Sequence, residues 1–261
     1  MSRILITFGG RAYDATTERI VRDGPRFGAD EVRVYDDRWL VEKVPDFRKL
    51  NSFLWETDKK FGFGWCAWKP MIILEEWYKA FIALHHNTVL YVDADTYPIA
   101  DLSPIFQFAE RDGICLFESQ GNPNKRFTRR DCCVAMGLDE EKHWNARHAC
   151  GRFSTFKVGD YRAWQFLCEW LTYSVNPMCQ SLEPSKYAPE FPEFARHSNE
   201  QSVLTLLASK YGIPLHREAC QFGWPVSPNC GLEEDKYPQL FHQEYCTGDR
   251  SDLAGSRWRN V

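Results

Sequence analysis

No stretch of this chain approaches the roughly 18 consecutive apolar residues that a membrane span needs; Met71-Ile72-Ile73-Leu74 is cut off by Glu75-Glu76. An excess of basic charge is also missing. The formal net charge of -4 gives no reason to expect a nucleic-acid partner. There is no internal repeat and no low-complexity segment. The ten cysteines form no Cys-x-x-Cys pair, although Cys132 and Cys133 are adjacent, so they read as reduced, mostly buried thiols rather than a disulfide framework. No secretion signal is expected, because Ser2-Arg3-Ile4-Leu5-Ile6-Thr7 already reads as a core strand. These absences lead to the expectation of a soluble, cytoplasmic protein, with peripheral contact as the only membrane role left. At 261 residues and 44% hydrophobic content, the chain can build the core of one large domain or two small ones.

Among the features present, the strongest is Thr88-Val89-Leu90-Tyr91-Val92-Asp93-Ala94-Asp95-Thr96-Tyr97-Pro98. A run of β-favouring residues leads into two carboxylates one residue apart, and a proline stops it. If the extended geometry persists, both acids project from one face. Two acids so placed repel unless a cation lies between them or one is protonated. Carboxylate oxygens are hard ligands suited to Mg²⁺ or Mn²⁺, and the carboxyl end of a strand is where an α/β sheet usually places its ligand. The same residues could equally be two acids in an exposed turn.

The opening is strand, helix, strand: Arg3 to Phe8, then Thr16 to Phe27, then Glu31 to Tyr35, which argues for an α/β sheet. Gly9-Gly10 after the first strand, with Tyr13 close behind, lets backbone approach a ligand. It is not a Gly-x-Gly-x-x-Gly fingerprint. Apolar positions Ile73, Leu74, Trp77, Tyr78, Phe81 and Ile82 predict an amphipathic helix over 70–84. Its start, Trp68-Lys69-Pro70, joins a cation to free backbone amides and reads as an anion site. On that reading Lys69→Ala lowers turnover and hardly changes the melting temperature.

Further on, Gly113 to Phe117 and Ala149 to Lys157 read as strands, and Tyr161 to Tyr173 and Glu200 to Tyr211 as helices, the last capped by Ser198 or Asn199. The loop Asn124 to Asp131 carries Lys125, Arg126, Arg129 and Arg130, either as a solvated surface or in contact with phosphate or an acidic sugar. Asn176 to Phe194 holds four prolines and reads as a surface loop.

Taken in order, Trp68-Lys69-Pro70, Asp93-Ala94-Asp95 and His197…Glu200-Gln201-Ser202 resemble the metal-dependent nucleotide-sugar glycosyltransferases of the GT-A fold. The likeness is to small polysaccharide-type members with a Gly-Tyr-Gly-Tyr-Trp-x-Trp-Lys-Pro segment and a later His-Arg-x-Asp-Gln-Ser segment, and it spans most of residues 1–242. It implies one GT-A-like α/β domain with a mixed central sheet flanked by helices. Residues 1–98 would form the nucleotide-sugar half and 99–242 the acceptor half, while 243–261 would be a tail that orders over the donor. It implies Mn²⁺ or Mg²⁺ as cofactor, with Asp95 as direct ligand, Asp93 toward ribose and metal, and His242 completing the shell. Thr7, Phe8, Gly9, Tyr13, Trp68, Lys69 and Ala94 would line the donor, and Lys69, Glu200, Gln201 and Asp131 would serve catalysis. Glu200 or Asp131 is the base if the enzyme inverts. The implied partners are a nucleoside-diphosphate sugar, UDP-sugar first, and a glycan acceptor, with transfer of a hexosyl or deoxyhexosyl group. Departures are Glu200 where relatives carry aspartate, Ser198 where they carry arginine, and Phe63 and Cys66 in the aromatic segment. Rival readings are a haloacid-dehalogenase-type phosphatase, a sugar-nucleotide pyrophosphorylase and a non-catalytic sugar-binding domain.

Overall fold

Apolar runs too continuous for a half-solvated sheet make up the central strands. Ile4, Leu5 and Ile6 in β1 (Arg3–Phe8) are fully buried, and all five residues of β3 (Thr88–Val92) are buried. Such strands need helices on both faces, and the computed structural model supplies them. It describes residues 2–9, 13–56, 63–85, 87–223 and 230–244.

In chain order, β1 leads to α1 (Asp14–Asp23), β2 (Glu31–Tyr35), the short helices α2 (Asp37–Lys43), α3 (Pro45–Leu50) and α4 (Phe53–Glu56), and the long α5 (Trp68–Ala83). β3 and β4 (Thr96–Pro98) follow, then α6 (Ser103–Asp112), β5 (Ile114–Pro123), α7 (Arg130–Ala135), α8 (Glu141–Trp144), β6 (Arg147–Ala149) and β7 (Phe153–Lys157). The chain continues through α9 (Tyr161–Ser174), α10 (Pro177–Gln180), α11 (Glu200–Tyr211), β8 (Leu215–His216) and β9 (Phe241–Gln243).

Seven strands form one mixed sheet in the order β2-β1-β3-β7-β5-β6, with β8 added beside β5. β1 is parallel to both β2 and β3, while β7 runs antiparallel between β3 and β5. Period-two alternation splits the core. Ile4, Ile6, Val89 and Tyr91 pack with Trp68, Ile72 and Trp77 of α5, Phe166 and Trp170 of α9, and Leu204 and Leu207 of α11. Leu5, Leu90 and Val92 face the other way, onto Ile20, Phe106, Phe153 and Phe241. A separate two-stranded ribbon pairs β4 with β9.

The expected strand over 149–157 is broken into β6 and β7 by Cys150-Gly151-Arg152, and that break builds part of the site described below. The first helix ends at Asp23, before a single turn at Pro25–Phe27, whereas the last begins at Glu200 as expected. The nine described cysteines are free and none is exposed. No helix of the described residues is long and apolar enough to cross a membrane. Of the expected tail over 243–261, Gln243 is instead the last residue of β9, and 245–261, like the loop residue Gly10, lie outside the described residues.

Candidate functional site

β3 ends at Val92, and the two acids follow in a turn closed by the Thr96 amide donating to the Asp93 carbonyl at 3.0 Å. The extended geometry that would align the acids therefore does not persist. Each carboxylate is instead placed by its own contacts. Asp93 Oδ1 accepts from the Tyr91 hydroxyl at 2.6 Å and faces Lys69 Nζ at 3.0 Å. Asp93 Oδ2 makes no hydrogen bond within the described residues, and the side chain keeps 31% of its surface exposed. Asp95 Oδ1 accepts from the Thr96 hydroxyl at 2.9 Å, and Oδ2 from the Gln243 amide at 2.8 Å. Burial, and then the nearby charge of Asp93, push Asp95 above the ordinary aspartate range, although the Gln243 and Thr96 bonds and the Arg152 charge act against that.

Lys69 lies in the first turn of α5 beside Pro70, where the missing proline N–H costs no helix bond. Its ammonium is buried and has three protons to give. They meet Asp93 Oδ1 at 3.0 Å, Glu200 Oε1 at 2.9 Å and the Gly151 carbonyl at 2.8 Å. Burial alone would lower this lysine, but Asp93 and Glu200 more than offset that and hold it above the usual range. Lys69 is thus a saturated organising cation. The expected free cation at a helix N-terminus, ready for a diphosphate, is corrected on this point. Trp68 beside it stacks on Phe8, with ring centroids 3.8 Å apart.

Glu200 arrives from the other motif. Asn199, just before it, holds φ at 47°, a region in which non-glycine residues are uncommon, and its side-chain amide bonds the Gln180 carbonyl instead of capping α11. Burial pushes Glu200 above the ordinary glutamate range, with Lys69 pulling the other way. A Cβ on Gly151 would stand 3.3 Å from Glu200 Oε1, so glycine gives the close approach this cluster needs. The rest of the motif is scaffold. The Gln201 amide bonds the Ala149 carbonyl at 2.7 Å, and the Ser202 hydroxyl bonds the Phe127 carbonyl at 2.7 Å. His197 Nδ1 accepts from the Arg129 amide at 3.2 Å, which assigns the proton to Nε2, 2.7 Å from the Cys179 carbonyl. A second strained segment precedes Lys69: Gly64, Trp65 and Cys66 all have positive φ. Strain of this kind persists where surroundings over-determine the backbone, often near a site.

Several expected site residues are used elsewhere. Asp131 is buried, and its oxygens are taken by the amides of Lys186 and Tyr187 at 2.8 and 2.9 Å and by Arg129 at 3.2 Å. It fastens the proline-rich loop, which removes it as a base. Arg129 is buried and reaches the Ser181 carbonyl, and Arg130 is paired with Asp139 at 2.5 Å. Thr7 is fully buried, so it cannot touch a ligand. A Cβ on Gly9 would meet Thr17 at 2.7 Å, which makes that glycine a packing residue against α1. Tyr13 stands at the N-cap of α1, and Ala94 is buried inside the acidic turn. His242 is opposite Tyr97 in the β4–β9 register, with rings 5.6 Å apart, so the side chain that reaches Asp95 is that of its neighbour Gln243. Among the described residues, no three His, Cys, Asp or Glu side chains are gathered to hold an ion by themselves.

Three contributors were not foreseen: Gly151, Arg152 and Gln243. Gly151 inside an apparent strand was the available signal, since such a glycine marks close backbone approach. The Arg152 carbonyl accepts from the Asp93 amide at 2.7 Å, and its guanidinium bonds Glu218 and lies 3.4 Å from Cys150 Sγ. Lys69 offsets one of the three charges on Asp93, Asp95 and Glu200, so the ionised set keeps an excess of two. One divalent cation matches that excess, and hard carboxylate oxygens suit Mg²⁺ or Mn²⁺.

No protein-family description matches this chain, and no curated protein matches it. Among solved structures, the apo form of mouse xyloside xylosyltransferase 1 is similar over 94% of this chain and 97% of its own, at 9% identity and a TM-score of 0.47.

Proposed function

We propose that this chain is a GT-A-type glycosyltransferase that moves a sugar from a nucleoside-diphosphate sugar, UDP-sugar first, to a hydroxyl of a glycan acceptor. One observation carries the reading. The two segments behind the sequence resemblance, Trp68-Lys69-Pro70 and His197 to Ser202, converge on Asp93 through a single buried ammonium. Asp93 and Asp95 would hold Mn²⁺ or Mg²⁺, and the ion would neutralise the charge of the diphosphate leaving group. Lys69 and Glu200 act as positioning residues that fix Asp93 through Oδ1. Phe8 and Trp68, stacked at the end of β1, form the aromatic wall of the donor side.

The rival enzymes fit less well. A phosphatase of the haloacid-dehalogenase type carries its acids on the first strand, whereas Asp93 follows the third and β7 runs antiparallel beside it. A pyrophosphorylase needs a long glycine-rich loop after β1, but only five residues separate Phe8 from Asp14. A non-catalytic binding domain is favoured by one observation: Asp95 is already held by Gln243 and Thr96. Incubation with a panel of nucleotide sugars and Mn²⁺ separates the readings. Slow release of a nucleoside diphosphate, lost in Asp95→Asn, is expected. Donor binding with no release would leave the binding domain standing.

A further inference from the structure

Gln243 ends β9, and its side chain is the one that reaches Asp95 from outside the acidic turn. Its backbone is tied down first. The β4–β9 register sets it opposite Thr96, and the Gln221 amide covers its outer edge. Gln221 Nε2 donates to the Gln243 carbonyl at 2.8 Å, and the Gln243 backbone amide donates to Gln221 Oε1 at 3.0 Å. The next residue adds a further tie, since the Glu244 amide donates to the Asp95 carbonyl at 2.8 Å. The side chain therefore meets Asp95 from a fixed backbone, and what can still turn is its terminal amide.

That amide is satisfied at one end only. Nε2 donates to Asp95 Oδ2 at 2.8 Å, whereas Oε1 is buried and makes no hydrogen bond. A buried acceptor without a partner is costly, so the fold keeps beside Asp95 an oxygen that its own donors do not use. The terminal torsion of a glutamine is broad and roughly two-fold, and turning it over breaks no bond of Oε1. The turn brings a hard carbonyl oxygen to the place beside Asp95 Oδ2 where Nε2 now stands. Oxygens about 2.1 Å from an octahedral ion lie about 3 Å from one another, and the separation of Nε2 and Oδ2 is 2.8 Å. We propose that Gln243 is a further protein ligand of the divalent cation at Asp95, its amide turned to present Oε1. The assignment rests on the metal site of the glycosyltransferase reading and not on sugar transfer itself. One side chain then serves both states of Asp95: its N–H holds Oδ2 when the ion is away, and its oxygen joins Oδ2 when the ion is bound. His242, set against Tyr97, takes no part.

The test is Mn²⁺ titration of the full chain with UDP present and a UDP blank subtracted, read by electron paramagnetic resonance of the unbound ion, with a melting curve for each protein. Gln243→Met keeps the length of the side chain and has no oxygen. It should weaken Mn²⁺ binding at least about tenfold, a loss typical even for groups that only support a metal's ligands. Gln243→Glu keeps the oxygen without the N–H, and should bind Mn²⁺ at least as tightly as wild type. Without Mn²⁺ it should melt lower than wild type, because two carboxylates then face each other, and Mn²⁺ should restore it. Tighter binding in Gln243→Met would make the amide a competitor of the ion, unchanged binding would make it a bystander, and either would overturn the assignment. A loss in Gln243→Glu as large as in Gln243→Met would mean that only the N–H matters, which overturns it as well. No Mn²⁺ binding by wild type would overturn the metal reading and this ligand together. The expected pattern in a protein that releases no nucleoside diphosphate from any sugar donor would uphold Gln243 as ligand and overturn the transferase alone.

Discussion

Lys69 and Arg129 are both buried cations, with side chains 3% and 4% exposed, and each gathers oxygens from distant parts of the chain. Lys69 holds Asp93, Glu200 and the Gly151 carbonyl. Arg129 holds Asp131 and the Ser181 carbonyl, and its backbone amide holds His197. Their carboxylate partners differ: Asp93 is 31% exposed and Asp131 only 5%. The Arg129 knot is buried and ties the proline-rich loop to α7, whereas the Lys69 knot leaves Asp93 partly exposed, with Oδ2 making no hydrogen bond among the described residues. Two arrangements of the same chemistry thus separate a fastening from a site, and the accessibility of the acid distinguishes them.

The largest expected effect falls on Lys69. Lys69→Met leaves the buried Glu200 and the partly exposed Asp93 without their cation, and breaking a buried pair costs about 3–5 kcal/mol. Urea unfolding should show that loss, contrary to the small effect expected from the sequence. An unchanged midpoint would break the comparison, because Lys69 would then be dispensable to the fold.

Acid should weaken the Arg129 side next. His148 and His197 are buried and neutral, held down to about 3 and about 4, first by burial and then by neighbouring positive charge for His148. For a histidine depressed on folding, stability is fully present above the unfolded value near 6.5 and is lost as pH falls toward the folded value. At 1.36 kcal/mol per unit, the descent to pH 5 costs about 2 kcal/mol for each. Thermal melts from pH 7 to pH 5 should fall steeply in wild type and less steeply in His148→Gln. Equal slopes would remove His148 from the account.

A smaller and more local effect is expected for Asp131→Asn. It keeps one acceptor oxygen but loses the charge that faces Arg129 and the two loop amides, a change of about 1–3 kcal/mol. Limited proteolysis should cut within 182–195 sooner than in wild type, while nucleotide binding stays the same. Loss of nucleotide binding without faster cleavage would return Asp131 to the site.

Much of this was legible in the sequence wherever periodicity spoke locally. The apolar run of β3 and the span of α11 are as expected, and α5 begins within one turn of its expected start. The site was less legible because its contacts are made by tertiary placement. Lys69 announces a cation at a helix start, but nothing near it says that Gly151, Asp93 and Glu200 will use up its three protons. Cys150-Gly151-Arg152 reads as strand because only the glycine marks a break. The β4–β9 register sets His242 against Tyr97 and Gln243 against Thr96, and a single-residue alternation decides which of them meets Asp95. A short chain segment does not contain that information.

The smallest expected change in stability belongs to the variant that tests the central claim. Asp95→Asn removes a charge that already repels Asp93, so its melting point should stay close to that of wild type. Titration of UDP with Mn²⁺, and again after a chelator, should show wild type losing at least ~10-fold in affinity, about 1.4 kcal/mol, when the ion is removed. Asp95→Asn should bind weakly and equally in both conditions, and His242→Ala, whose ring lies against Tyr97, should respond to the chelator as wild type does. Wild-type affinity that is the same with Mn²⁺ and with chelator would contradict the metal-dependent transferase at its centre.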